Sequence, residues 1–288
     1  MTRTLITAGL LILLAVGIVG GLSALAANGK RAAAEMPAQP QRAWSQDSIW
    51  YDGLVEKATY DASRIVYGRA RSYEAVFLTN KEAHDAATVT KDADSAGESF
   101  EVWKHNQIER IPTPNYDYTY IATSHFRTDN LALTRLDVSS QEWCGTSFKQ
   151  YQLTAPGTWD YFGFSYMPES GRQNETVTAA GKPVVPFDAL PLWLRNYDFE
   201  ARPTVEITLL PDQRSNRATP AEPAAAEVRH VGTSDAGHKL ELVQAGKVLG
   251  TYEMAADRNH VMLAYEGADG QTYTLRALER VNYWTIQE

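Results

Sequence analysis

Apolar and polar residues alternate at period two along most of this chain, which restricts those stretches to strands that bury one face. The clearest stretch sets Tyr67, Arg69, Arg71, Tyr73, Ala75 and Phe77 on one side against Gly68, Ala70, Ser72, Glu74, Val76 and Leu78 on the other. Its first half exposes arginines and its second half is apolar on both faces, so the far end should be covered. Comparable runs span 55–65, 100–108, 116–126, 131–138, 146–153, 159–167, 205–210, 240–243, 248–254, 261–266 and 271–286. Such spacing means an antiparallel meander, and Gln244-Ala245-Gly246-Lys247 and Gly267-Ala268-Asp269-Gly270 supply turns with Gly available for positive φ. The expected fold class is mainly β: a strongly curved antiparallel sheet or open β-barrel with one packed α-helix. That helix is read over 187–197, with Asp188 placed to accept from its first free amides and Pro191 in its first turn. Leu190, Leu194 and Tyr197, with Trp193 beside them, form the stripe it must bury.

Ahead of the β region, Leu5 to Ala27 is an uncharged, mostly aliphatic run preceded only by Arg3 and the amino terminus. A membrane helix needs about 20 apolar residues, so the run can span as an N-terminal apolar helix. It ends in Ser23-Ala24-Leu25-Ala26-Ala27, a small-x-small cleavage pattern, so residues 1–27 read as a signal peptide or a membrane anchor. Either reading exports the rest, to the periplasm or another extracytoplasmic space, with the helix as an inner-membrane anchor where it stays uncleaved. Residues 28–43, rich in Ala, Pro and Gln, read as a disordered linker. Residues 44–288 read as one antiparallel β domain. The stretch 211–227 lacks bulky apolar side chains and carries three prolines, so it reads as a long loop within that domain.

The formal net charge is −8, and Lys and Arg are scattered among acids, which argues against nucleic acid as a partner. Cys144 is the only cysteine, so no intrachain disulfide forms and no lipid acceptor follows the apolar run. None of the six histidines pairs with another ligand at HxH or HExxH spacing, and His84-Asp85 reads as a solvated hairpin tip. There is no GxSxG elbow and no Gly-rich loop opening a helix. No catalytic set, metal or cofactor is proposed on these grounds.

One string stands out: Gln141-Glu142-Trp143-Cys144-Gly145. A nucleophilic thiol needs a depressed pKa, and His84, His105 and His125 are the candidate partners. The expectation is instead a buried, inert cysteine on a strand whose neighbours Trp143 and Phe148 fill the core, because free Cys is among the most buried residue types. Aromatics cluster at alternate positions elsewhere. Tyr116, Tyr118 and Tyr120 share one face of a strand, and Tyr161 and Phe164 lie in another aromatic run. Such residues usually fill a core, but in a curled sheet they can line an apolar cavity.

The string QEWCG with the following Gln150, and the closing Arg280-Val281-Asn282-Tyr283-Trp284, resemble a family of uncharacterised exported bacterial proteins. The resemblance extends to an opening at Trp50-Tyr51-Asp52-Gly53 through Glu56 and Tyr60, then Tyr67-Gly68, and covers 44–288. It implies no known activity. A looser likeness to the antiparallel half-barrels of periplasmic lipid-carrier domains is an analogy of fold. The functional expectation is a non-enzymatic cell-envelope protein that binds a lipid, another apolar small molecule or an envelope partner. The alternative is a thiol-dependent or hydrolytic enzyme using Cys144 with a histidine.

Overall fold

Strand pairing runs through the chain as a single unbroken ladder, and the alternation explains why. The computed structural model describes residues 43–92, 97–179, 181–257 and 259–285. The apolar run at 1–27 and nearly all of the linker at 28–43 lie outside the described residues. Among the described residues no helix is long and apolar enough to cross a membrane.

The first half of the sheet is β1 (Val55–Val66), β2 (Arg69–Asp85), β4 (Ser99–Ile111), β5 (Tyr118–Arg127), β6 (Leu133–Glu142), β7 (Gly145–Ala155), β8 (Thr158–Ser165) and β9 (Gly171–Thr178), with the two-residue β3 (Thr90–Lys91) paired to β2. The second half is β10 (Val184–Pro186), β11 (Thr204–Leu210), β12 (Ala224–Thr233), β13 (Gly237–Gln244), β14 (Lys247–Ala255), β15 (Met262–Gly267) and β16 (Thr272–Val281). Every neighbouring pair on the path is antiparallel except β10 with β11. The halves join where β1 pairs with β16, and the free edges are β9 and β10. The result is a large, strongly curved, open sheet.

Period two sorts the side chains as expected. Tyr73, Ala75 and Phe77 of β2 are buried on the concave side, as are Trp159 and Tyr161 of β8. Tyr67 is not in the strand: with Gly68 it forms the β1–β2 turn, both at positive φ, and its ring is exposed. The helix is shorter than the expected 187–197. Phe187–Ala189 form a 3-10 turn and α1 spans Leu190–Asn196, with Pro191 in its first turn. Asp188 caps nothing; its carboxylate accepts from the Gln213 amide 3.0 Å away. All seven residues of α1 are buried, so it is not an amphipathic helix lying on the sheet but a plug inside the curl.

The stretch read as a long loop is a loop only as far as residue 223, because β12 begins at Ala224. Nor is it an excursion. It runs as a strap across the concave side, with Gln213, Arg214 and Ala218 buried. Inward-facing groups of β7 and β8 meet it: Lys149 donates to Gln213 O, Tyr161 to Ala218 O, and Ser165 Oγ to Asn216 O at 2.5 Å. A Cβ on Gly163 would lie 2.7 Å from Ala218 O, so glycine there lets the strap approach. These bonds satisfy a polar backbone that would otherwise be costly to bury.

The end of the sheet near the amino terminus is riveted by charge and indole rings. Arg195 of α1 grips Glu56 of β1 with both nitrogens, at 2.5 and 3.0 Å, and lies 4.6 Å over Trp44. Trp44, Trp50 and Trp103 pack ring to ring at 4.9 to 5.4 Å. Arg280 of β16 donates to Asp52, Leu54 O and Ile49 O. Trp50, Asp52, Glu56 and Arg280, four of the residues that carry the family resemblance, therefore share one structural task here.

Candidate functional site

At the opposite end of the concave face the strap stops short of filling the curl. A cleft of about 550 Å³ opens there, between the ends of β1 and β5 and strap residues 214–217. Arg64, Arg214 and Arg217 stand on it together with Tyr67, Tyr118 and Tyr120. Ile65, Val66, Ile111 and Met167 supply its apolar surface.

The period of each strand explains this gathering. Arg64 follows Tyr60 and Ala62 on the inward side of β1, and Tyr118 precedes Tyr120 and Ala122 on the inward side of β5. Arg64 is partly exposed, 3.7 Å from Glu109 and 3.9 Å from Asp212. Arg214 is buried among Glu109, Asp188 and Asp212. Arg217 is exposed and has no ion pair among the described residues. The Tyr118 hydroxyl bonds to that of Tyr67, and burial together with its Tyr67 and Tyr116 neighbours pushes its pKa well above the usual phenol value. Tyr118 and Tyr120 are therefore neutral donors and acceptors on the cleft wall.

Of the expected cavity residues, Tyr118 and Tyr120 line this cleft and Tyr116 stands at its rim, 5.6 Å from the Tyr118 ring. Tyr161 does not: it is sunk under the strap. Phe164 points outward and is 42 % exposed, because inward positions on β8 are Trp159, Tyr161, Gly163 and Ser165. The interior is filled in large part by aromatic rings, with Trp103, Trp193, Tyr60, Tyr151 and Tyr197 among its fully buried side chains.

The QEWCG string sits beside the rim, and its cysteine corrects an expectation. Glu142 pairs with Gly145 across a two-residue turn made of Trp143 and Cys144. Trp143 is 84 % exposed and stacks on Tyr116 at 5.6 Å; Cys144 is also exposed. Phe148 is only half-buried. The expected burial of the cysteine is overturned because the string is a turn and not a strand interior. Gly145 has φ +148, and a Cβ there would lie 2.8 Å from the Tyr166 ring. Gln141 is exposed and pairs with Thr146. Glu142 turns inward and accepts from Asn216 of the strap, and burial raises its pKa.

Nor does the structure build a thiol–imidazole pair. The polar partner of Cys144 is the Tyr116 hydroxyl, 2.6 Å away. His105 is buried against Thr79 Oγ1 at 2.9 Å, with burial holding its pKa down to about 3. His84 and His125 face away from the curl beside Glu82, a cluster the sequence spacing concealed because its third member comes from another strand.

No family model matches the chain, and no curated protein matches it. A solved structure similar to it is the beta-barrel-like protein of domain of unknown function DUF1849 from Brucella abortus. The alignment covers 80 % of this chain and 98 % of that one, with a TM-score of 0.45 and 10 % sequence identity.

Proposed function

We propose that the protein is an exported, non-enzymatic binding protein of the cell envelope, and that its cleft takes an amphiphile with an anionic group. The observation that carries this reading is the meeting of Arg217, which has no ion pair among the described residues, and partly exposed Arg64 with tyrosine hydroxyls and the apolar residues Val66 and Met167 in one open cleft. Arginine presents several donors to a carboxylate or phosphate, while the apolar wall covers part of a chain or ring. A lipid-like ligand is thus retained from the sequence reading, but held at the mouth of the curl and not inside it. Export rests on the apolar run at 1–27 and its polar linker.

Titration calorimetry with laurate tests it, with dodecanol as the uncharged comparison. Laurate should bind saturably and dodecanol more weakly. Arg217→Ala should weaken laurate by about tenfold, the loss expected for one charge-assisted hydrogen bond. The reading fails if laurate does not saturate, or if the substitution leaves its affinity unchanged.

A further inference from the structure

We infer that Glu82, His84 and His125 form a binding site for a divalent transition-metal ion, zinc by the chemistry of its donors. The site lies on the convex face and is independent of the cleft. Period two puts Glu82 and His84 on the same outward side of β2, while His125 reaches them from β5 across Lys104 of β4. Both imidazoles present Nε2 to a single carboxylate oxygen: His84 is 3.1 Å and His125 3.7 Å from Glu82 Oε1. The rings are 4.6 Å apart, and the ligand atoms of all three residues lie within 4.8 Å of one another.

These separations suit a shared metal ion. With Zn–N and Zn–O distances of about 2.0–2.2 Å, ligand atoms in a tetrahedron stand about 3.3 Å apart, so small side-chain movements would close the set. The donor set also favours zinc: imidazole nitrogen with one carboxylate suits a borderline cation, whereas calcium and magnesium favour oxygen alone. Surrounding groups hold the donors in place. Lys104 Nζ is 3.3 Å from Glu82 Oε2, which leaves Oε1 facing the two rings. His84 and His125 are 2 % and 6 % exposed. A small apolar cluster of Ala86, Val89, Phe100 and Val102 packs nearby, with the Phe100 ring 5.9 Å from that of His84. An adjoining cavity of about 340 Å³, lined also by Asn106, Thr123 and Asp137, leaves room for a water or a further ligand at the fourth position.

A second imidazole group must be kept apart in the test. His238 Nδ1 lies 3.4 Å from His230 Nε2, but among the described residues this pair belongs to no three-donor set. Metal-free full-length protein should therefore be titrated with zinc chloride by calorimetry, alongside Glu82→Gln, His125→Gln and His238→Ala. One zinc per chain is expected, retained in His238→Ala and weakened at least about tenfold in the other two. Zinc-edge X-ray absorption of the wild-type protein gives a reading free of any folding defect: two imidazoles, oxygen for the remainder and no sulfur. Affinity unchanged in His125→Gln, loss of binding in His238→Ala alone, or a sulfur ligand from Cys144 would each overturn the proposal. Absence of saturable zinc binding would do the same, leaving Glu82 as the hydrogen-bond acceptor for the histidines.

Discussion

Arg195 and Arg214 are both sunk in the concave interior, yet their surroundings differ in charge balance. Arg195 faces one acid, Glu56, in a bidentate pair, and its remaining donors reach Asn259 O at 2.8 and 3.0 Å. Arg214 faces three acids: Asp212 at 2.9 Å, Asp188 at 3.0 Å and Glu109, which also accepts from Tyr273. Arg64 is a second, more distant cation for that group. The surplus of acid shows in Asp188, which burial and the neighbouring Asp212 carboxylate push up to about 7. Asp212 goes the other way: burial acts upward on it, but the Arg214 charge and hydrogen bonds hold it down to about 2. One arginine is thus a fixed rivet between helix and sheet, while the other anchors the strap through a group that titrates near neutrality.

The comparison can be broken most forcefully at Arg195. Arg195→Ala leaves Glu56 buried without its partner and removes a guanidinium from between indoles, at a cost of about 5 kcal/mol. Urea denaturation measures it. The double replacement Glu56→Leu with Arg195→Met should recover most of the loss, because a buried pair exchanged for apolar groups is often neutral.

Arg214→Met should cost about 3 kcal/mol at pH 8 and at least about 1 kcal/mol less at pH 5. The sign follows from Asp188, whose folded pKa of about 7 lies above the ordinary aspartate value of 3.8. Its stabilising contribution is present in full below pH 3.8 and is lost as pH rises through about 7, when the buried carboxyl must ionise. Without Arg214 that ionisation meets no compensating charge, so the defect deepens with pH. A cost that is the same at both pH values would show that the two arginines do not differ in this way.

The smallest effect belongs to Lys149, a buried strap contact whose pKa burial lowers to about 8, with Asp188 and Asp212 opposing. Between pH 8 and 10.5 the unfolded chain binds more protons at this group than the folded one, so the wild type gains stability as pH rises. Lys149→Met should lack that gain, and the difference between the two proteins should move in the wild type's favour by about 1–2 kcal/mol across the window. Paired denaturation curves at the two pH values report it.

Much of this architecture was legible in the residues, for a reason that also marks where legibility stops. A strand with one buried face must alternate, so the inward sides of β2, β4 and β5 could be read, as could the Ala245-Gly246 turn. β9 carries Arg172, Gln173, Asn174 and Glu175 and buries none of its residues, so an edge strand of that kind shows no hydrophobic period. The strap was hidden by a Pro-rich, polar composition that usually means a surface loop. Its signal lay elsewhere, in the inward register of β7 and β8, where Ser147, Lys149, Gly163 and Ser165 are too polar or too small to face an apolar core. The Trp143-Cys144 turn was missed because two residue types frequent in cores occupy its centre. Of the cleft, the tyrosines could be read from alternation, but the arginine of the strap could not, since only the chain path brings Arg217 to Tyr118.

The seam between β1 and β16 also governs the order of assembly. Val55 at the start of β1 lies opposite Val281 at the end of β16, so the first and last strands of the described chain meet near the middle of the sheet. The strands from β4 to β9 and those from β11 to β16 are sequential antiparallel neighbours and can zip locally, whereas the seam must close a loop containing nearly every other strand. During synthesis β1 therefore waits with one edge unpaired until β16 has been made, leaving a row of backbone donors and acceptors open in the centre of the future sheet.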